Sequence, residues 1–202
     1  VALIERGRSA YQNQQIDQAI SLWQQAAQQF EQRGDRIHQA LVFSYLSLAY
    51  QYQGNWPQAE AAIAQSFQQL DRVSSETSSN EILTIQGQLF NTQGAVQFHK
   101  GNLEAALSSW QQASRFYQEA EDARRYTGSL INQAHALQNL GYFLQAREVL
   151  EQVEATLDRA DPALRALGLQ SLGDALRIVG DLDAAQAAFE EGIAIAQAQS
   201  LP

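Results

Sequence analysis

Apolar residues in this chain recur at spacings of three and four, the period of one helical face. The stripes they form recur in turn about every 40 residues. Five alanines mark the copies: Ala19, Ala59, Ala106, Ala146 and Ala185, separated by 40, 47, 40 and 39 residues. Four residues after each stands a large apolar residue: Trp23, Ile63, Trp110, Leu150 and Phe189. Three before each stands another: Ile16, Trp56, Leu103, Phe143 and Leu182. Five before is a turn position: Gln14, Gly54, Gly101, Gly141 and Gly180. The spacing puts both large residues and the alanine on one face, and the small residue lets a neighbouring backbone approach closely. Glycine at the turn suits a left-handed helix cap, where a side chain would clash.

A second stripe precedes each turn. It reads Leu169, Leu172, Gly173, Leu176 in the fifth copy and Phe43, Leu46, Ser47, Tyr50 in the second. Each copy is thus predicted to be a helix A, a tight turn and a helix B. The hairpins fall at about 1–34, 35–72, 80–121, 122–160 and 161–200, with the first helix B running from about Ile16 through Phe30. A single hairpin cannot bury its own apolar faces, so neighbours must stack. The expected fold is all-α: a right-handed α-solenoid of five hairpins, about ten helices, in one domain over 1–202. Residues 73–79 interrupt the regularity with small polar residues that favour a loop. Ser78 and Glu81 there read as a capping box for the next helix.

The pattern large-x-x-Leu-Gly-x-x-large, turn glycine, then apolar-x-x-Ala and x-x-x-large resembles the tetratricopeptide repeat (TPR). Leu169, Leu172, Gly173, Leu176, Gly180, Leu182, Ala185 and Phe189 carry it most fully; Gly192 departs from it, where the family prefers alanine. The first copy keeps Gly7 and Ala10 but has Gln14 at the turn, and the fourth has Ala134 for the helix A glycine. The resemblance covers essentially the whole chain. Its spacing exceeds the family's usual period of about 34 and resembles the long-helix variant of kinesin light chains and bacterial arrays. The glutamine-rich phrasing resembles cyanobacterial arrays that precede CHAT-type, caspase-like protease domains.

The resemblance implies that helices A line a concave groove that receives a protein or peptide partner. Carried over residue by residue, the groove positions are Ser44, Leu48, Gln51 and Tyr52 in the second repeat and Asn91, Ala95, Phe98 and His99 in the third. The fourth offers Ile131, His135, Gln138 and Asn139, and the fifth Gln170, Asp174, Arg177 and Ile178. Tyr45, Asn132 and Ser171 lie one position on. Amides can pair with peptide N–H and C=O groups, so Asn91, Asn132 and Gln170 are expected to hold a ligand backbone. Tyr52 and Phe98 would supply anchor area. Chaperone-binding members clamp a terminal carboxylate with lysines and an arginine; this chain has Asn91 but lacks those basic partners, so that ligand is not expected.

Composition narrows the partner further. The net charge of −9 and the single lysine, Lys100, argue against nucleic acid, which needs clustered Lys and Arg. No apolar run approaches the roughly 20 residues of a membrane span. No cysteine is present, which excludes thiolate metal sites and a Cys nucleophile in this segment. The glycines stand singly, so no phosphate loop is formed, and no His-Glu-x-x-His or Gly-x-Ser-x-Gly motif occurs. His99 and His135 fall in adjacent helices A without a third metal ligand, so no metal and no other cofactor is expected. Glu190-Glu191 and Glu121-Asp122 point in different directions on or near helix ends and read as solvated charge rather than an acid/base pair. An enzyme is therefore not expected. The chain begins at Val1 without methionine, which leaves a cytoplasmic protein and an exported one that has lost its leader equally open. Helix B of the fifth copy keeps an apolar face through Phe189, Ile193 and Ile195, so either the native chain continues past Pro202 or this end self-associates. The expected function is a protein-interaction scaffold; the alternative is the regulatory arm of a CHAT-like protease.

Overall fold

At four of the turns that sequence periodicity places between a helix A and a helix B, one repeated pair of backbone hydrogen bonds closes the chain. In the computed structural model, which describes residues 2–72, 79–157 and 162–199, Gly54 N–H donates to Gln51 O and Asn55 N–H to Tyr50 O. The same two bonds recur at Gly141 and Tyr142 and at Gly180 and Asp181. The φ values of these glycines are +70°, +80° and +86°, the left-handed region that side chains resist. Gln14 closes the first turn with the same bonds at φ +60°, in a conformation that glycine adopts more cheaply.

Among the described residues the chain forms ten helices and no strand. They are α1 (Ala2–Gln12), α2 (Ile16–Arg33), α3 (Arg36–Tyr52), α4 (Trp56–Leu70) and α5 (Asn80–His99). Then follow α6 (Leu103–Glu119), α7 (Ala123–Asn139), α8 (Phe143–Leu157), α9 (Pro162–Val179) and α10 (Leu182–Ala198). Helix starts follow from side-chain caps: Asp35, Asn55, Asp122 and Asp181 each accept a backbone N–H three residues on. The cap of α5 is Ser79, whose Oγ accepts from Ile82 N at 3.3 Å. Ser78, expected in that role, lies outside the described residues, as do the other residues of 73–78.

Two compact units divide the chain, Val1–Lys100 and Gly101–Pro202. In the first, α3 packs against α2, α4 and α5. Its largest apolar cluster contains Ile4, Leu22, Trp23, Phe30, Val42 and Leu46. Buried hydroxyls bind the helices of one hairpin together: Ser47 Oγ donates to Ala59 O and Ser66 Oγ to Ala40 O, both at 2.8 Å. In the second, α7 packs against α6, α8 and α9, and α9 against α10. Its core gathers Leu130, Leu150, Val153, Leu157, Leu169 and Leu172.

The five marker alanines are 0–3% exposed, and Trp23, Ile63, Trp110 and Leu150 are buried beside them. The residues three before the markers divide. Ile16 is buried and Trp56 half-buried, but Phe143 is 56% and Leu182 64% exposed. The periodicity assigned all of these to the buried face. All of them are the first residues of their helices, so register alone does not set their depth; the packing around each one does.

Candidate functional site

In the second unit, two helices A lie side by side: α7 packs directly against α9. Their expected groove residues meet here. His135, Gln138 and Asn139 stand on α7 at spacings of three, four and one; Gln170, Asp174 and Arg177 stand on α9 at spacings of four and three. Arg177 Nη2 lies 3.8 Å from Asp174 Oδ1, both exposed. Asn139 Nδ2 donates to His135 O at 2.8 Å. Burial lowers the pKa of His135 below the usual histidine value, and the negative charge of Asp174 opposes that shift. The imidazole Nε2 and, one turn on, Gln138 Oε1 are both buried with no hydrogen-bond partner. A buried unpaired polar atom costs about 1–3 kcal/mol.

Two of the expected contact residues are occupied by the fold. Gln138 is buried and its Nε2 donates to Ala175 O of α9 at 3.0 Å. Ser44 is fully buried and its hydroxyl donates to Leu41 O at 2.8 Å. Neither presents its donor to a groove, because helix–helix packing closes over both. Asn132 is half-buried and engaged, whereas Gln170 is exposed. Gln133, absent from the expected set, is buried and donates to both Trp110 O and Ser114 Oγ, so it ties α6 to α7.

The first unit presents aromatic rather than charged groups. Tyr45 is half-buried and stacks on Trp23 with ring centroids 5.3 Å apart. Tyr52 is 58% exposed and meets Tyr11 edge-on at 6.0 Å. Tyr11 also tilts against Trp23 at 5.8 Å. Burial, and secondarily Tyr52, raises the Tyr11 pKa. Tyr11 completes this aromatic row but escaped the sequence reading, because the turn of the first copy has Gln14 in place of glycine and the copy reads as degraded. On α5, Asn91 and Phe98 are half-buried, and both are engaged. His99 is exposed and lies against the Trp56 ring at 4.3 Å, so Trp56 serves packing. Among the described residues no group of three His, Asp or Glu is placed to hold a metal ion. No helix there is long and apolar enough to cross a membrane.

Comparison with known proteins bears on the fold. Tetratricopeptide repeat profiles match residues 128–152 and 168–199. No curated protein matches the chain. Among solved structures, the nearly identical TPR-like repeats of a Podosopora anserina protein assigned as a kinesin light chain superpose with a TM-score of 0.69 at 23% identity, over 98% of this chain and 95% of that one. Aspartyl phosphate phosphatase F from Bacillus subtilis gives 0.72 at 16% identity, over 98% of this chain and 50% of that one. A Rap protein complexed with Competence and Sporulation Factor gives 0.73 at 16% identity, over 96% and 53%. This chain therefore spans about half the length of the last two. At such identities the likeness is one of fold. The chain carries tetratricopeptide repeats at residues 128–152 and 168–199, within an all-helical fold of the kind that TPR-like arrays adopt.

Proposed function

We propose that the chain is a protein-interaction module whose helices A hold a segment of a protein or peptide partner. One observation carries this reading. It is the packing of α7 against α9, where the charge of Asp174 on α9 acts on His135 of α7 and where Asn139, Asp174 and Arg177 are exposed. Such a patch offers both donors and acceptors, which is what a peptide backbone and its polar side chains require. The aromatic row of Tyr11, Tyr45 and Tyr52 in the first unit supplies apolar contact area with polar tips, the composition favoured at binding surfaces. The Rap protein of similar fold, solved with Competence and Sporulation Factor, is consistent with a ligand-binding use of this fold. The reading is one of binding; the phosphatase name belongs to the Bacillus subtilis protein alone.

The test is peptide display against the immobilised chain, followed by affinity measurement with the variant Asn139→Ala/Asp174→Ala/Arg177→Ala. All three side chains are exposed, so the fold tolerates the change. The expected result is a set of enriched peptides whose affinity falls tenfold or more in the variant. Enriched peptides that bind wild type and variant alike, or no enrichment at all, would refute it.

A further inference from the structure

The first unit carries four aromatic rings in one continuous row. Tyr45 stacks on Trp23 at 5.3 Å, Trp23 tilts against Tyr11 at 5.8 Å, and Tyr11 meets Tyr52 at 6.0 Å. Trp23 is the floor, 2% exposed, with its Nε1 spent on Ile4 O. The tyrosines keep accessible surface: Tyr52 is 58% exposed, and Tyr11 and Tyr45 are half-buried. Leu48, also half-buried, lies between Tyr45 and Tyr52 at spacings of three and four on α3, so these three share one helical face. The Tyr50 hydroxyl accepts from Gln24 Nε2 at 3.3 Å, whereas those of Tyr11 and Tyr52 make no hydrogen bond among the described residues. Burial raises the Tyr11 pKa, and Tyr52 adds to that, so the phenol stays an O–H donor at neutral pH. Both stretches that carry the tyrosines lack charge: residues 9–16 and 39–59 contain no Asp, Glu, Lys, Arg or His. Amides take their place, with Gln12 and Gln14 beside Tyr11 and Gln51 and Gln53 beside Tyr52.

We propose, on the reading of the chain as a protein-interaction module, that this row binds a proline-rich segment of a partner protein in the polyproline II conformation. Three features select that occupant. The first is spacing. Tyr45 and Tyr52 are seven residues apart on α3, about 10.5 Å at 1.5 Å per residue. One polyproline II turn takes three residues and about 9.3 Å. Prolines three apart therefore fall over the two tyrosines, one on each ring. The second is the sense of the hydrogen bonds. Polyproline II makes none internally and proline has no N–H, so the segment presents carbonyl acceptors. The phenols and amides of the row supply the donors. An incoming α-helix spends its carbonyls on itself and leaves those donors idle. The third is charge. A surface without charged side chains offers nothing to an acidic or basic peptide. Proline-rich segments instead dock on aromatic-lined grooves through ring contact and a pre-formed backbone. Trp23 already holds Tyr11 and Tyr45 in place, so little side-chain freedom is lost on binding.

The experiment measures fluorescence anisotropy of three labelled peptides of equal length with the intact chain. The first is decaproline, the second a glycine–serine peptide, and the third a leucine–glutamine peptide of amphipathic helical period. Decaproline binds, and salt leaves its affinity unchanged because no charge takes part. The two controls bind about tenfold more weakly, or not at all, for want of a pre-formed backbone or free carbonyls. Tyr52→Ala weakens decaproline about tenfold, the cost of an aromatic anchor. Tyr52→Phe keeps the ring, removes the donor and weakens it about threefold. Tyr52 is exposed, so both variants keep the core intact. Asn139→Ala/Asp174→Ala/Arg177→Ala leaves decaproline binding unchanged, which separates the row from the polar surface of α7 and α9. Equal binding of decaproline and either control overturns the proposal. So does indifference to Tyr52→Ala, or loss of binding in the triple variant. If decaproline fails to bind while display-selected peptides still do, this proposal falls and the chain remains an interaction module. If neither binds, both fall.

Discussion

Gly7 and Trp23 show how tightly the repeat's glycine is tied to the large residue opposite it. A Cβ at position 7 would stand 2.3–2.8 Å from three atoms of the Trp23 indole. The ring has little room to give. It is 2% exposed, stacks on Tyr45, tilts against Tyr11, and its Nε1 donates to Ile4 O at 3.3 Å. Gly7→Ala should gain about 0.5–1 kcal/mol of helix propensity and lose about 1–3 kcal/mol to overpacking. The net loss is about 0–2.5 kcal/mol, or up to roughly 10 °C in melting temperature at about 2–4 °C per kcal/mol for a chain of this length. Gly128→Ala is the internal control. Gly128 lies inside α7 with nothing within 4 Å of the added methyl, so the same substitution should stabilise by about 0.5–1 kcal/mol. Both are read by urea denaturation followed by circular dichroism, with a double-mutant cycle on Trp23→Leu. In that background the cost of Gly7→Ala should vanish. A coupling below about 0.5 kcal/mol, or a Gly7→Ala variant as stable as Gly128→Ala, would refute the reasoning.

Three further outcomes follow from local geometry. Gln14→Gly should raise stability by about 1 kcal/mol, because a non-glycine residue now holds a left-handed conformation; no rise in the urea midpoint would contradict this. Gln138→Leu should cost about 0.5–1.5 kcal/mol by removing the bond from Gln138 Nε2 to Ala175 O, measured the same way. His135 has a lowered folded pKa, so between that value and the ordinary histidine value of about 6.5 the unfolded chain binds the extra proton. Its contribution is therefore complete above 6.5 and is lost as pH falls. The urea midpoint should decline from pH 7 to 5.5, and His135→Gln should flatten that decline; parallel pH profiles would exclude this origin.

The fold was legible because its signals are short in range. The turn glycines at 54, 141 and 180 adopt the positive φ their spacing implied, and all five marker alanines are buried. Depth within a face was less legible. Periodicity placed Phe143 and Leu182 with the core, yet both are exposed while Ile16 at the same register is buried, so depth there is set by surrounding packing and not by the local pattern. The candidate site divides for the same reason. Asp174 and Arg177 are exposed, whereas Gln138 bonds a carbonyl 37 residues away, which no local pattern reveals. Tyr11 was missed because Gln14 replaces the glycine that marks a turn. The glutamine-rich phrasing that resembles CHAT-associated arrays is also what solvated helix faces carry, since glutamine is a good helix former.

The most direct test of the account is a titration of the isotope-labelled chain with a display-selected peptide, followed by amide chemical shifts. The account predicts shifts clustered on α7 and α9 around His135, Asn139, Asp174 and Arg177. Saturable binding whose shifts leave those residues unmoved would contradict it.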